Sequence, residues 1–173
     1  MNASSRAEVQ GNRELLSEFE QLLYREAWLL DHGRLSEWLD FMAEDVRYWA
    51  PVRLDRVRGK EDFLQPGLMA HFDDDHQGLV YRVKRIETGV TLSDEPPARS
   101  RHIVSNVQVM RVHEGTAEVA SNFLVFHSHT RSREYMLLGA REDKWRRAGE
   151  SWQLKERLII LDHTTVAGLS VLF

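Results

Sequence analysis

The 173-residue chain contains no cysteine. That absence excludes a thiolate-ligated iron–sulfur cluster of the Rieske or ferredoxin type, because such clusters are held by cysteine sulfur. It also fits a reducing compartment. There is no excess of positive charge: 23 Lys and Arg face 27 Asp and Glu, for a net charge of −4. A nucleic-acid-binding face and a polybasic membrane patch are therefore not expected. No stretch approaches the roughly 20 apolar residues of a membrane span. The first residues, Met1 to Gln10, are polar and lack the apolar core of a secretory signal, so the expected location is the cytoplasm. Neither a nucleophile elbow nor a phosphate-binding glycine loop is found. A chain of this length reads as one domain, able to bury roughly two-thirds of its extended surface.

What is present is strand-forming sequence. From Arg99 to His163 the pattern predicts four long β-strands. Arg99–His113 and Thr116–His129 alternate apolar with polar residues and are parted by Glu114-Gly115, a pair suited to the positive φ of a tight hairpin. Arg131–Arg147 and Ser151–Asp162 form a second pair around Ala148-Gly149-Glu150. The last strand is expected to bury Trp152, Leu154, Leu158 and Ile160, with Gln153, Lys155 and Arg157 on its polar face. Four such strands make a strongly twisted antiparallel sheet whose inner side must be covered.

The N-terminal part supplies the cover. Residues 1–12 read as a flexible terminus and 13–173 as a single α+β domain. From Arg13, Leu15, Phe19, Leu22, Leu23, Ala27 and Leu30 recur at helical spacing, and Gly33 can supply the left-handed residue that ends the helix. Leu35, Trp38, Leu39 and Met42 mark a shorter helix anchored by the Trp. Ala43-Glu44-Asp45 reads as a turn and Val46 to Arg53 as a strand whose Pro51 suits a sheet edge. A charged loop, Asp55 to Asp62, leads to a short strand over Gly67–Phe72. Asp73-Asp74-Asp75 offers caps for a third helix carrying Leu79, Val83, Ile86 and Val90, closed by Gly89. Pro96-Pro97 makes a rigid lead into the sheet. This order predicts helices segregated on one face of a curved antiparallel sheet, a shape that can roll into a cone around a pocket.

Candidate chemistry is sparse. His127 and His129 are two apart on one strand and face the same side, as a metal pair would, but no carboxylate adjoins them. The Asp73–His76 cluster lacks the glycine and terminal Glu of a calcium loop, and a helix cap explains it. Asp31, ending the first helix, and His102, on an inner strand, could both reach a cone pocket and work as general acid and base. The alternative is that Asp31 and His32 polarise a helix end while His102 makes a strand contact. Signals for assembly are stronger. Arg99 and Arg101 follow the Pro-Pro turn, and Trp49, Trp145 and Trp152 with Arg141, Arg146 and Arg147 are residue types enriched at interfaces. Trp49, Arg99, Arg101, Trp145 and Arg147 are the candidate interface residues.

Several segments carry a family resemblance. They are Trp38 to Pro51 (WLDFMAEDVRYWAP), Phe72 to Asp75, Arg82 to Ile86, Asp94 to Val107 (DEPPARSRHIVSNV), Gly139 to Arg147 (GAREDKWRR) and Leu169 to Phe173 (LSVLF). With these the chain resembles the small, or β, subunit of bacterial aromatic-ring-hydroxylating dioxygenases, over nearly its whole length beyond the first dozen residues. A departure is Thr91-Leu92-Ser93, where many members carry a Trp-containing run. The resemblance implies a cone-like fold of the cystatin-like or scytalone-dehydratase-like kind. It implies a non-catalytic subunit supporting cis-dihydroxylation of aromatic compounds in an NADH-dependent system of three large and three small subunits, with the small subunits forming a trimeric base. By the same resemblance this chain holds no cofactor. The Rieske 2Fe–2S cluster and mononuclear non-haem iron belong to the large subunit. The second reading, a small-molecule dehydratase or isomerase of the same fold, would use Asp31 and His102.

Overall fold

The computed structural model describes residues 3–52, 70–88, 99–128, 134–163 and 171–173, with side chains from Asn12 onward. The elements are α1 (Ala3–Asp31), α2 (Leu35–Leu39), β1 (Met42–Pro51), β2 (Ala70–Asp74), α3 (His76–Glu87), β3 (Arg99–His113), β4 (Thr116–Ser128), β5 (Glu134–Ala148) and β6 (Ser151–Leu161). The expected loop at Asp55–Asp62, together with Gly89, Pro96-Pro97 and His129, lies outside the described residues.

The six strands form one sheet in the order β2-β1-β6-β5-β4-β3. Every junction is antiparallel except β1–β6, which is parallel. The four long strands fall where alternation and turn chemistry place them. Glu114 and Gly115 have φ of 45° and 76°, and Gly149 has φ of 62°, the left-handed conformations that close short hairpins. The short strand β2 pairs back antiparallel on β1, and β1 in turn joins β6, so both belong to the one sheet. Ala43-Glu44-Asp45 is strand rather than turn. Pro51 sits at no sheet edge but at the end of β1, where the register with β2 shifts and a missing N–H breaks no regular ladder.

The helices cover the inner face. In α1 the apolar stripe buries Phe19 and Leu23, and Phe19 packs on Trp145 and Trp152 with ring centroids 6.1 and 5.0 Å apart. The helix begins at Ala3, ahead of the first apolar residue of its stripe. Gly33, at φ 65°, follows its end. Trp38 is fully buried and meets Tyr48 edge-on. At α3 the capping residue is Asp75, whose Oδ1 accepts from the Gly78 N–H at 2.8 Å. Asp73 and Asp74 instead pair with Arg47 and Arg82.

One irregularity reverses an expectation. Between β5 and β6, Lys144 faces Glu156 while Trp145 faces Leu154, so Lys155 is an extra residue and β6 bulges there. A one-residue insertion exchanges the two faces beyond it. Trp152 and Leu154 point inward as expected. After the bulge the inward residues are Arg157, Ile159 and Leu161, and Leu158 and Ile160 turn outward. Arg157, assigned to a polar face by strict alternation, lies at the centre of the core.

Candidate functional site

In a curved sheet covered by helices, the concave interior is where a pocket would lie. Here it is filled by charge and by the chain's own end. Glu26, on α1, occupies the buried face because it falls three residues after Leu23 and seven after Phe19. Its carboxylate accepts from Arg157 at 2.5 and 3.0 Å, from Arg141 at 3.3 Å and from the Trp38 indole at 3.1 Å. Asp143, on β5, accepts from Arg157 Nε at 2.8 Å and Nη2 at 2.7 Å. Two guanidinium groups and two carboxylates thus cancel inside the core, each at most 3% exposed.

Every N–H of Arg157 is used. A guanidinium has five donors. Four go to Glu26 and Asp143, and the fifth goes from Nη1 to the main-chain oxygen of Phe173 at 2.7 Å. Tyr48 donates its hydroxyl to the same oxygen and accepts the Phe173 N–H at 2.8 Å. The ring of Phe173 rests against Phe72 and Phe123, and Val171, Leu172 and Phe173 are all buried.

The electrostatics follow from burial and pairing. Desolvation would raise the Glu26 carboxyl, but the attraction of Arg157 and Arg141 and the hydrogen bonds from Arg157 and Trp38 outweigh it and hold the group below its ordinary value. Desolvation opposes the charge on Arg157, yet Asp143 and Glu26 leave it well above its ordinary value. Burial pushes the Tyr48 hydroxyl up to about 12. Arg141 is lowered by burial and by Arg157, with Glu26 and Asp143 opposing.

Asp31 and His102 do meet. Asp31 Oδ1 lies 2.6 Å from His102 Nδ1 and accepts the His102 main-chain N–H at 2.9 Å, and Oδ2 accepts from Arg101 at 3.1 Å. The opposite ring nitrogen, Nε2, donates to the Leu172 carbonyl at 2.8 Å, since a carbonyl oxygen can only accept. A general base must present a free nitrogen to its substrate. Both nitrogens of this ring are committed, and both side chains are only 5% exposed. The pair fastens the end of α1 and β3 to the terminal residues.

The remaining candidates divide by exposure. Arg101 is 66% exposed and, among the described residues, pairs with Asp31. Arg99 is exposed at the start of β3. Trp49 lies on the outer face under the Arg47 guanidinium, and Arg147 pairs with Glu18 over the Trp152 ring. Trp145 is a correction: it is fully buried against Phe19, so it offers no surface to a partner. Tryptophan is enriched in cores and interfaces alike, and sequence did not separate the two. Arg141 is likewise internal. His127 bonds to Ser100 at 2.9 Å and lies beside Tyr135. Among the described residues no three His, Cys, Asp or Glu side chains form a metal-binding group, and no helix is long and apolar enough to cross a membrane.

Sequence reading missed two features. One is the buried quartet of Glu26, Arg141, Asp143 and Arg157, signalled only by a Glu within an apolar helix stripe. The other is an apolar patch on the outer face. Cross-strand register aligns Arg101, Phe126 and Met136 in one row and Ile103, Leu124 and Leu138 in the next, and Ile103, Met136 and Leu138 are 54, 56 and 42% exposed. Further along, a groove of about 470 Å³ runs past Arg47, Trp49, Met110, Glu142, Lys144 and Glu156.

Comparison with known proteins agrees with this arrangement. Residues 25–168 match the family described as ring hydroxylating beta subunit. Benzene 1,2-dioxygenase subunit beta of Pseudomonas putida is 35% identical over 165 residues, spanning 92% of this chain and 88% of that protein. Biphenyl 2,3-dioxygenase subunit beta of Rhodococcus jostii (strain RHA1) is 33% identical over 164 residues, with the same coverage. A structure of naphthalene 1,2-dioxygenase with indole bound shares the fold at a TM-score of 0.81 and 24% identity, covering 99% of this chain and 94% of that one. Matched from α1 through β6, the chain belongs to the ring-hydroxylating dioxygenase beta-subunit family.

Proposed function

We propose that the chain is the non-catalytic structural subunit of a terminal oxygenase. In this reading it forms a trimeric base for three iron-bearing large subunits that dihydroxylate an aromatic compound in the cytoplasm. The observation that carries the reading is the filled interior: the arginine–carboxylate quartet and Phe173 occupy the space a substrate would need, and His102 has no free nitrogen. This disfavours the dehydratase or isomerase reading. The Rieske 2Fe–2S cluster would reside in the large subunit, since this chain has no cysteine to ligate it, and the electrons from NADH would pass there. The exposed side supports docking. An apolar patch through Ile103, Met136 and Leu138, beside the free face of Arg101, combines the apolar centre and guanidinium forks found at protein interfaces. Arg99 and Trp49, on the same outer face, are proposed as further contacts, and Arg147 as a separate contact on the helix side, where it pairs with Glu18.

The test is co-expression with and without a large subunit. The lone chain is expected to purify colourless, iron-free and inactive on aromatics, and the pair as a brown complex sedimenting as a hexamer. Turnover by the lone chain, abolished by Asp31→Asn or His102→Ala, would overturn the proposal. Within the complex, Arg101→Ala and Leu138→Lys are expected to lower the hexamer fraction at least tenfold while shifting the small subunit's own melting temperature by less than about 3 °C, the scale of a 1 kcal/mol change in a chain of this size. Unchanged sedimentation of both variants would remove this face from the assembly.

A further inference from the structure

We infer that the folded chain holds His102 as an imidazolium ion, so that the fastening of α1 and β3 to the terminal residues depends on one bound proton. This goes beyond the assembly reading and rests on no partner. The observation that carries it is a count of donors. Nδ1 faces Asp31 Oδ1 at 2.6 Å, and Nε2 faces the Leu172 carbonyl at 2.8 Å. A carboxylate and a carbonyl only accept, and a neutral imidazole has a single N–H to give. Either neutral tautomer would press a nitrogen lone pair against an oxygen, at a site where both side chains are only 5% exposed. Two acceptors at hydrogen-bond distance call for two N–H groups, and only the cation has them.

The proton belongs to the ring and not to the acid. Asp31 Oδ1 also accepts the His102 main-chain N–H at 2.9 Å, and Oδ2 accepts from Arg101 at 3.1 Å; hydrogen bonds and a cation of this kind favour the ionised carboxylate. The Nδ1–Oδ1 contact is shorter than the ordinary N–H···O length of about 2.9 Å, as charge-assisted bonds are. Asp31 is moreover the last residue of α1, where the negative end of the helix dipole favours a cation. Among the described residues, the charged groups at the ring are Asp31 and, through it, Arg101. Across the ladder on β4 the residue paired with His102 is the buried Val125. Loss of the proton would leave one N–H for two oxygens. It stays with the carboxylate, the stronger acceptor, so the Leu172 bond is the one given up, while Arg157 and Tyr48 keep their hold on Phe173.

The direct test is neutron diffraction from deuterium-exchanged crystals of the native full chain at about pH 7.5, where an ordinary histidine is mostly neutral. Deuterium is expected on both Nδ1 and Nε2 of His102 and on neither oxygen of Asp31. A bare ring nitrogen, or a deuterium on the carboxyl group, would overturn the inference. Stability supplies a second readout. A ring that is charged when folded and mostly neutral when unfolded takes up a proton on folding, so the stabilisation is lost as pH rises. The folding constant of the native chain is therefore expected to fall at least threefold from about pH 7 to about pH 8, and His102→Gln should remove most of that slope. Equal slopes in the two chains would also overturn it. Should His102→Gln fail to fold, the neutron map of the native chain decides alone.

Discussion

Replacing Glu26 with Ala is expected to cost about 3–5 kcal/mol of folding free energy, the range for removing one partner from a buried ionic group. The reason is desolvation left without compensation. In the native chain Glu26 accepts both terminal nitrogens of Arg157, one of Arg141 and the Trp38 indole. Without it, Asp143 alone faces two guanidinium charges at the centre of the core. The measurement is the urea midpoint of the purified chain, and a loss below about 1 kcal/mol, the level of an exposed pair, would show that the quartet is not the keystone. The same residue sets an acid limit. Because its folded value is held below the ordinary 4.5, its stabilisation is fully present above that value. It is lost as pH falls through the lower folded value, where the unfolded chain takes up the proton first. Stability of the native chain should therefore decline below about pH 4.5, and Glu26→Gln should flatten that decline while lowering the plateau at neutral pH.

Gly139→Ala is expected to be nearly as damaging, at about 3 kcal/mol or an insoluble product, the upper end for forcing atoms into a packed core. A Cβ on Gly139 would lie 2.2 Å from the Ile160 carbonyl oxygen, 3.1 Å from its carbon and 2.9 Å from Phe123 Cζ. The first two are backbone atoms of the neighbouring strand, so relief requires parting β5 from β6. Phe123 cannot yield freely either, since its ring also supports Phe173. Gly33→Ala makes the useful contrast. No atom lies within 4 Å of its added Cβ, yet φ is +65°, so the expected penalty is the 1–2 kcal/mol of left-handed backbone strain. A melting experiment ranking Gly33→Ala as the more harmful would contradict the close approach at Gly139.

Local chemistry made much of the fold legible. Alternation and the Glu114-Gly115 turn fixed β3 and β4 almost to the residue, and the helical spacing of Phe19, Leu23 and Leu30 identified α1. What stayed hidden depends on pairing between distant segments. The bulge at Lys155 has no signature in β6 alone, because only its register against β5 reveals the extra residue. It is this bulge that carries Arg157 from the expected polar face into the core. The parallel pairing of β1 with β6 is equally non-local, and without it Pro51 looked like an edge residue. At the candidate site, Asp31 and His102 could be named from sequence, but their contact could not, nor could the Leu172 carbonyl that occupies the second ring nitrogen. Trp145 and Trp49 share a residue type and divide between core and surface.

The bonds of Arg157 also bear on the order of synthesis. They join Glu26, made early, to Asp143 and to Phe173, so four of the five bonds need the chain through residue 157 and the fifth needs residue 173. A chain ending after β5 would contain Glu26 and Asp143 but, of the two arginines that neutralise them, only Arg141, so burying both acids together requires β6.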